Sequence, residues 1–152
     1  VKLNLFSPIA RTASGFVEQK VSESSTVQLG FYYTGFSGSD LKLRGFGITP
    51  EYRYYVGKKE AMNGFYVGSF LRYQQFKLSD KEDNAGKLST YGGGFLIGNQ
   101  WIFSKKVILD AFIGPSYNHG DVKVTSGQNE FDLPGGVNSF GVRTGVSIGI
   151  AF

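Results

Sequence analysis

The chain has 152 residues, of which 22 are glycine, and 16% are aromatic. This length predicts a single domain, residues 1–152. Because each glycine disfavours a helix or strand interior by roughly 0.5–1 kcal/mol, the composition excludes a helical bundle. A hydrophobic content of 41% excludes a disordered chain, and the absence of cysteine excludes disulfides and thiolate metal sites. The net charge of +4 is spread along the chain, which argues against nucleic-acid binding.

Alternation of apolar and small or polar residues predicts the strands in the first half of the chain. Lys2–Pro8 and Gly15–Val21 are predicted as two short strands separated by a break near 10–13. In the second of them, Phe16 and Val17 compete for the outer face, so its facing stays open. The apolar faces of the next three strands are Val27, Leu29, Phe31, Tyr33; Phe46, Ile48, Pro50, Tyr52, Tyr54, Val56 within Arg44–Val56; and Phe65, Val67, Leu71, Tyr73.

Three further strands follow with the same period of two. They are predicted over Tyr91–Phe103, Val107–Tyr117 and Phe140–Phe152. The last is the clearest, because its even positions are apolar or Thr while its odd positions are Gly, Ser, Ala or Arg. Solvent-facing strand positions usually carry Lys, Glu or Thr, so a face of glycines indicates a confined interior.

The connections alternate between short and long. Short polar turns are predicted at Ser22–Ser25, Gly57–Asn63 and Ser104–Lys106, and longer loops at Ser37–Leu41, Ser79–Lys87 and His119–Gly136. Short turns at one end and longer loops at the other are typical of outer-membrane barrels, which in bacterial single chains have an even number of strands. The fold class predicted is therefore all-β: an eight-stranded antiparallel up-and-down transmembrane β-barrel.

Aromatic residues fall near both ends of the predicted strands. Aromatic side chains are enriched at both interfaces of a bilayer, where they form two belts around a barrel. We predict an interfacial belt near the short turns and a second one toward the long loops, formed respectively by Tyr54, Phe65, Trp101, Phe103 and by Tyr33, Tyr73, Tyr91, Tyr117.

An eight-stranded barrel leaves an interior only wide enough for side chains. The alternation points six charged residues into it: Glu18, Glu51 and Asp110, with Arg53, Arg72 and Arg143. Because unpaired buried charges cost several kcal/mol each, we expect a mutually paired network that plugs the barrel. A proton or ion path along the same residues is the alternative.

The chain closes on a recognisable pattern of residues. Arg143, Gly145, Ile148, Ile150 and Phe152 resemble the C-terminal assembly signal of outer-membrane barrels, in which a polar residue, a glycine and two apolar residues precede a terminal aromatic. This resemblance implies recognition by the barrel-assembly machinery.

Longer segments carry a family resemblance. Lys2–Leu5, Gly47–Tyr55, Gly64–Gly68, Gly92–Ile102 and Gly114–Pro115 resemble a family of bacterial outer-membrane barrels of unknown function. The resemblance covers nearly all of the chain except the last loop. It implies an eight-stranded barrel of the OmpA/OmpX type in a Gram-negative outer membrane, and it implies no reaction.

The sequence offers weak support for catalysis. His119 is the one histidine, and Ser116, Asn118 and Asp121 lie close to it. Ser116 and His119 differ by an odd number of residues and so point to opposite faces of a strand. We expect no enzyme, metal or cofactor site, and Gly92–Gly94 lies within a strand rather than in a phosphate loop.

The function predicted is a non-enzymatic integral outer-membrane barrel, either structural or an accessory subunit of a larger assembly. Its expected partners are membrane lipid and lipopolysaccharide, the assembly machinery, and other outer-membrane proteins. Two alternatives remain open: a lipid A-modifying enzyme, and a soluble lipocalin-like ligand-binding barrel.

Overall fold

The structure of the protein is a computed structural model. It describes residues 1–4, 12–37, 41–57, 62–80, 85–104, 106–126, 129–132 and 137–151. The described chain is all β and antiparallel, with an up-and-down order of strands, which confirms that part of the predicted fold class. The strand segments are β1 (Lys2–Asn4), β2 (Thr12–Lys20), β3 (Ser25–Ser37), β4 (Leu41–Tyr55), β5 (Gly64–Asp80), β6 (Ala85–Phe103), β7 (Val107–Ser126), β8 (Asn129–Asp132) and β9 (Val137–Ile150).

No helix within the described ranges is long and apolar enough to cross a membrane.

Neighbouring strands pair in sequence order from β1 through β7. β9 then pairs with β7 on one side and with β1 on the other. β8 pairs only with the last residues of β7, beyond the stretch that β9 occupies. Consequently β1–β7 and β9 each have a hydrogen-bonded neighbour on both sides.

Several strands extend further toward the long connections than the alternation predicts. β7 continues to Ser126 and pairs there with β8, so much of the loop predicted over His119–Gly136 is a β-hairpin. β5 and β6 likewise continue into the predicted loop Ser79–Lys87. These predictions were wrong because Gly, Asn and Asp favour turns locally, whereas cross-strand pairing overrides that preference.

The start of the chain differs as well. β2 begins at Thr12 rather than Gly15, and the part of the predicted first strand after Asn4 lies outside the described residues. The open question of facing is resolved by burial, since Phe16 is buried while Val17 is 46% exposed. Phe16 therefore belongs to the inner face and Val17 to the outer face.

The inner face holds large aromatic rings beside the glycines. Six of these rings lie directly across from a glycine on an adjacent strand, where an added side chain would crowd the ring. An added Cβ at Gly98, for example, would lie 2.5 Å from the Tyr66 ring. The pairs are Phe16–Gly30, Tyr32–Gly47, Phe76–Gly45, Tyr66–Gly98, Phe70–Gly94 and Phe112–Gly145.

Candidate functional site

A cluster of charged side chains lies on the inner face, with the fully buried Arg53 of β4 at its centre. Arg53 Nε donates a hydrogen bond to Glu51 Oε1 at 2.5 Å, and Nη1 donates to Asp110 Oδ2 at 2.8 Å and to Gln100 Oε1 at 3.2 Å. The guanidinium carbon lies 4.3 Å from the ring centroid of Tyr66. Arg53 thus joins residues of β4, β6 and β7.

Lys2 of β1 forms the second half of the cluster. Its Nζ donates to Glu18 Oε2 at 2.7 Å and to Asp110 Oδ2 at 3.1 Å, so it bridges β2 and β7. Glu18 Oε1 accepts hydrogen bonds from Thr26 Oγ1 at 2.5 Å and from Tyr55 OH at 2.9 Å. The Lys2 and Glu18 side chains are each only 1% exposed, so their mutual pairing replaces the water that both have lost.

Arg143 of β9 extends the cluster toward the long connections. Its Nη1 donates to Glu51 Oε2 at 2.7 Å, and its guanidinium carbon lies 4.5 Å and 5.0 Å from the ring centroids of Phe70 and Phe112. Arg72, by contrast, forms no ion pair with any described residue, and its Nε has no hydrogen-bond partner there. Its guanidinium carbon lies 5.5 Å from the Phe70 ring centroid.

The structure thus brings five of the six sequence-predicted interior charges into one network: Glu18, Glu51, Arg53, Asp110 and Arg143. The sixth, Arg72, is near this network but has no acidic partner among the residues that the structure describes. Sequence reasoning missed Lys2, which takes the place expected for Arg72. The missed signal was available, because Lys2 alternates with Leu3 and Leu5 and so falls on the face opposite to them.

The network's chemistry is that of a rigid, water-poor packing element. Three carboxylates face three paired cations, so the charges within the ion-paired set cancel. Neutral side chains satisfy further oxygens, as where Tyr66 OH donates to Asp110 Oδ1 at 2.9 Å. Among the described residues, no group of three or more His, Cys, Asp or Glu is placed to hold a metal ion.

The outer face has the opposite character. Large apolar side chains are exposed along every long strand, with Phe95 at 70%, Leu71 at 68% and Phe140 at 78%. Polar exceptions on this face include Ser69, Asn99 and Thr144. Between the two predicted aromatic belts, the outward positions that the structure describes carry no charged residue. We call this surface the apolar band.

The eight belt residues are all exposed on the outer face. Toward the short turns lie Tyr54, Phe65, Trp101 and Phe103; toward the long connections lie Tyr33, Tyr73, Tyr91 and Tyr117. The second group continues across strands, since Tyr73 is the register partner of Tyr91, and the Tyr91 ring lies 5.1 Å from that of His119. Phe46 was not predicted as a belt residue, but it lies beside this second group, with its ring centroid 6.4 Å from that of Tyr73.

The residues of the predicted C-terminal signal take both faces of β9. Ile148 and Ile150 are exposed on the outer face, and Arg143 and Gly145 are buried on the inner face. Phe152, the terminal aromatic residue of the pattern, lies outside the described residues.

His119 and Ser116 lie on opposite faces of β7. Ser116 is buried on the inner face, while His119 is on the outer face, where its Nδ1 contacts Asn138 Oδ1 and its Nε2 lies 3.7 Å from Asp121 Oδ1. The described geometry therefore does not set the hydroxyl of Ser116 beside the imidazole, as a nucleophile–base pair would require.

One family model matches nearly the whole chain. The model for DUF3575, described as a protein of unknown function, matches residues 1–148. The chain belongs to the DUF3575 family. No curated protein and no solved structure matches this DUF3575 chain. The family assignment covers every residue of the charged network and every belt residue.

Proposed function

We propose that this DUF3575 protein is an integral outer-membrane β-barrel without enzymatic activity, acting as a structural element or as an accessory subunit of a larger membrane assembly. In this proposal β1–β7 and β9 form a closed eight-stranded barrel, and β8 is an extension hairpin on β7. The strand pairing supports closure, because each of the eight has neighbours on both sides.

The observation that carries the proposal is the inverted distribution of polarity. The ionic network is buried on the inner face, while the apolar band is exposed. A soluble lipocalin-like barrel would place apolar residues inside and charged residues outside. Exposed apolar patches beyond a few hundred Å² mark contact with a partner or with lipid, and this band extends over all the long strands.

The height of the band fits a bilayer. Trp101 and Tyr91 lie ten residues apart on β6, on the same face. At about 3.4 Å per residue and a tilt near 45°, that separation is about 24 Å along the membrane normal. The outward apolar band of outer-membrane barrels is about 25 Å tall. The two groups of aromatic side chains would then lie at the two interfaces.

The interior supports a packing role rather than conduction. Arg53, Tyr66, Gln100 and Asp110 are each fully buried and bonded to one another across the interior. Moving an ion past them would require breaking buried ion pairs, which costs several kcal/mol for each charge left alone. We therefore assign the network to holding the strands together.

The proposal includes partners at two stages. During assembly, the C-terminal pattern that includes Gly145, Ile148 and Ile150 would engage the barrel-assembly machinery. In the mature membrane, the apolar band would contact lipid and lipopolysaccharide, and other outer-membrane proteins for an accessory subunit. Capture from detergent-solubilised membranes with a tagged chain tests that last role: co-purified outer-membrane proteins support it, and recovery of the barrel alone contradicts it.

Fractionation and gel mobility test the membrane proposal. We expect the expressed chain to remain with outer membranes after a carbonate wash and to require detergent for extraction. Unheated samples should migrate differently from boiled ones, because a closed barrel resists detergent unfolding until heated. A monodisperse protein in detergent-free buffer, with identical mobility before and after boiling, would contradict the proposal.

A further inference from the structure

Three basic residues form a row on the outer face, just beyond the aromatic side chains at the long-connection end. Arg44 of β4 is the register partner of Lys77 of β5, and Lys77 is the register partner of Lys87 of β6. All three are exposed. The exposed Lys42 lies on the same face of β4, two residues further from the apolar band. We call Arg44, Lys77 and Lys87 the basic row.

Like charges placed directly opposite each other on adjacent strands are destabilising. The nearest acid on this face in the described part of the neighbouring strand is Asp121, the register partner of Ser89 rather than of Lys87. Its carboxylate lies 3.7 Å from His119 Nε2. No residue described at the register positions of the basic row is an acid, so an anion from outside the chain would relieve the repulsion among its cations.

An apolar groove of ≈ 510 Å³ lies on the same strands, between the basic row and the middle of the apolar band. The residues that line it include Ile48, Pro50, Leu71, Tyr73, Tyr91 and Gly93, the last of which has no side chain. Leu71 and Tyr117 are the register partners of Gly93 on either side. The groove is therefore a furrow between side chains of β5 and β7.

The order of these features along the strands matches an amphiphile. Along the outer face of β5, Lys77 is followed by Tyr73 and then by Leu71, over about 20 Å of strand. A molecule that follows this path meets cations first, then a ring of aromatic side chains, then an apolar furrow. A phosphate on a lipid headgroup with an attached acyl chain has the complementary order of charge and hydrophobicity.

We propose that this face is a binding site for a phosphate-bearing lipid of the leaflet on the long-connection side, which in a Gram-negative outer membrane is lipopolysaccharide. The phosphate binds the basic row, and one acyl chain lies in the furrow at Gly93. This inference rests on the proposed membrane function and adds a specific lipid contact to it. Lysine and arginine near a membrane surface are general attractors of anionic headgroups.

Native mass spectrometry of the detergent-purified protein tests the site. The variant Lys77→Gln/Lys87→Gln removes two cations of the basic row, and Lys20→Gln/Lys106→Gln removes two exposed lysines at the short-turn end as a matched control. The probes are diphosphorylated lipid A, fully dephosphorylated lipid A with the same acyl chains, and inorganic phosphate. Gel mobility before and after boiling is measured for every variant.

We expect diphosphorylated lipid A to bind the row variant about 30-fold more weakly than the unmodified protein and the control variant. Dephosphorylated lipid A should bind all three proteins weakly and alike, and inorganic phosphate should not displace the lipid. Equal binding by the two variants would overturn the site, as would displacement by inorganic phosphate alone. The change in gel mobility on boiling tests whether the barrel is folded and does not depend on lipid binding. If the unmodified protein migrated identically before and after boiling, the proposed membrane function would be refuted separately from the lipid site.

Discussion

Replacing Gly145 by alanine tests the pairing of glycines with inward aromatic rings. A Cβ at this position would lie 2.6 Å from Cζ and 3.1 Å from Cε1 of Phe112. Phe112 is buried on the inner face, and the Arg143 guanidinium carbon lies 5.0 Å from its ring centroid. The ring can therefore make room only by moving against its packed neighbours.

The expected loss is that of an overpacked interior, about 1–3 kcal/mol of unfolding free energy. Gly141 provides a control on the same strand, because its nearest neighbour would be Ser116 Oγ at 3.5 Å, an ordinary contact. There, alanine should be neutral or should stabilise the protein by up to about 1 kcal/mol through lower unfolded-state entropy. The two substitutions add the same methyl group, so their difference isolates the collision with Phe112.

Urea unfolding of the detergent-refolded variants, followed by the fluorescence of the sole tryptophan, Trp101, measures both values. The second-site variant Phe112→Leu is expected to recover part of the loss in Gly145→Ala, because the collision disappears. Equal unfolding free energies for Gly145→Ala and Gly141→Ala would refute the reasoning. So would a loss that is the same with and without Phe112.

Two further predictions concern charges on the inner face and in the apolar band. Arg143→Met should lower the unfolding free energy by about 3 kcal/mol, because it removes one partner of a buried ion pair with Glu51. Arg72→Met should leave the unfolding free energy unchanged or raise it, because Arg72 has no acidic partner among the described residues. Equal losses for the two variants in urea titrations would contradict this prediction. Phe95→Arg, in the middle of the apolar band, should cost about 2–4 kcal/mol in lipid vesicles, while Gln19→Arg near a strand end should cost about 0–1. Equal costs would argue against a bilayer at this face.

The faces of most strands could be predicted from the sequence, because side chains alternate strictly along a strand. Val27, Ile48 and Ile97 are exposed on the outer face where the alternation placed them. Alternation could not decide which of Phe16 and Val17 faces inward, because the two are adjacent and both are apolar. Their facing depends on the pairing of β2 with β3, which puts the Phe16 ring over Gly30.

The sequence predicted which charged residues of the candidate site point inward, but not which of them form ion pairs with each other. Alternation identified Glu51, Arg53 and Asp110 as inward residues, and all three are buried. Which acid meets which base depends on how strands distant in sequence lie across the interior. Lys2 reaches Asp110 although 108 residues separate them, and no local pattern encodes that contact.

The strand ends toward the long connections were the least predictable part of the fold. Residues such as Asn118, Gly120 and Asp121 favour turns by themselves. In the structure they pair with β6 along Gly92, Thr90 and Ser89. Such pairing gains its hydrogen bonds only once the neighbouring strand is in place, so single-chain propensity underestimates the strand length.

The most direct test of the central claim uses Trp101, which is 40% exposed on the outer face near the short turns. The refolded protein is placed in vesicles whose phospholipid acyl chains carry bromine, a short-range quencher of tryptophan fluorescence. Membrane insertion predicts strong quenching of Trp101 relative to unbrominated vesicles. It predicts still stronger quenching in the double variant Trp101→Phe/Phe95→Trp, whose only tryptophan lies in the middle of the apolar band. Fluorescence that is unchanged by brominated lipid, with the emission of a water-exposed indole, would contradict the account.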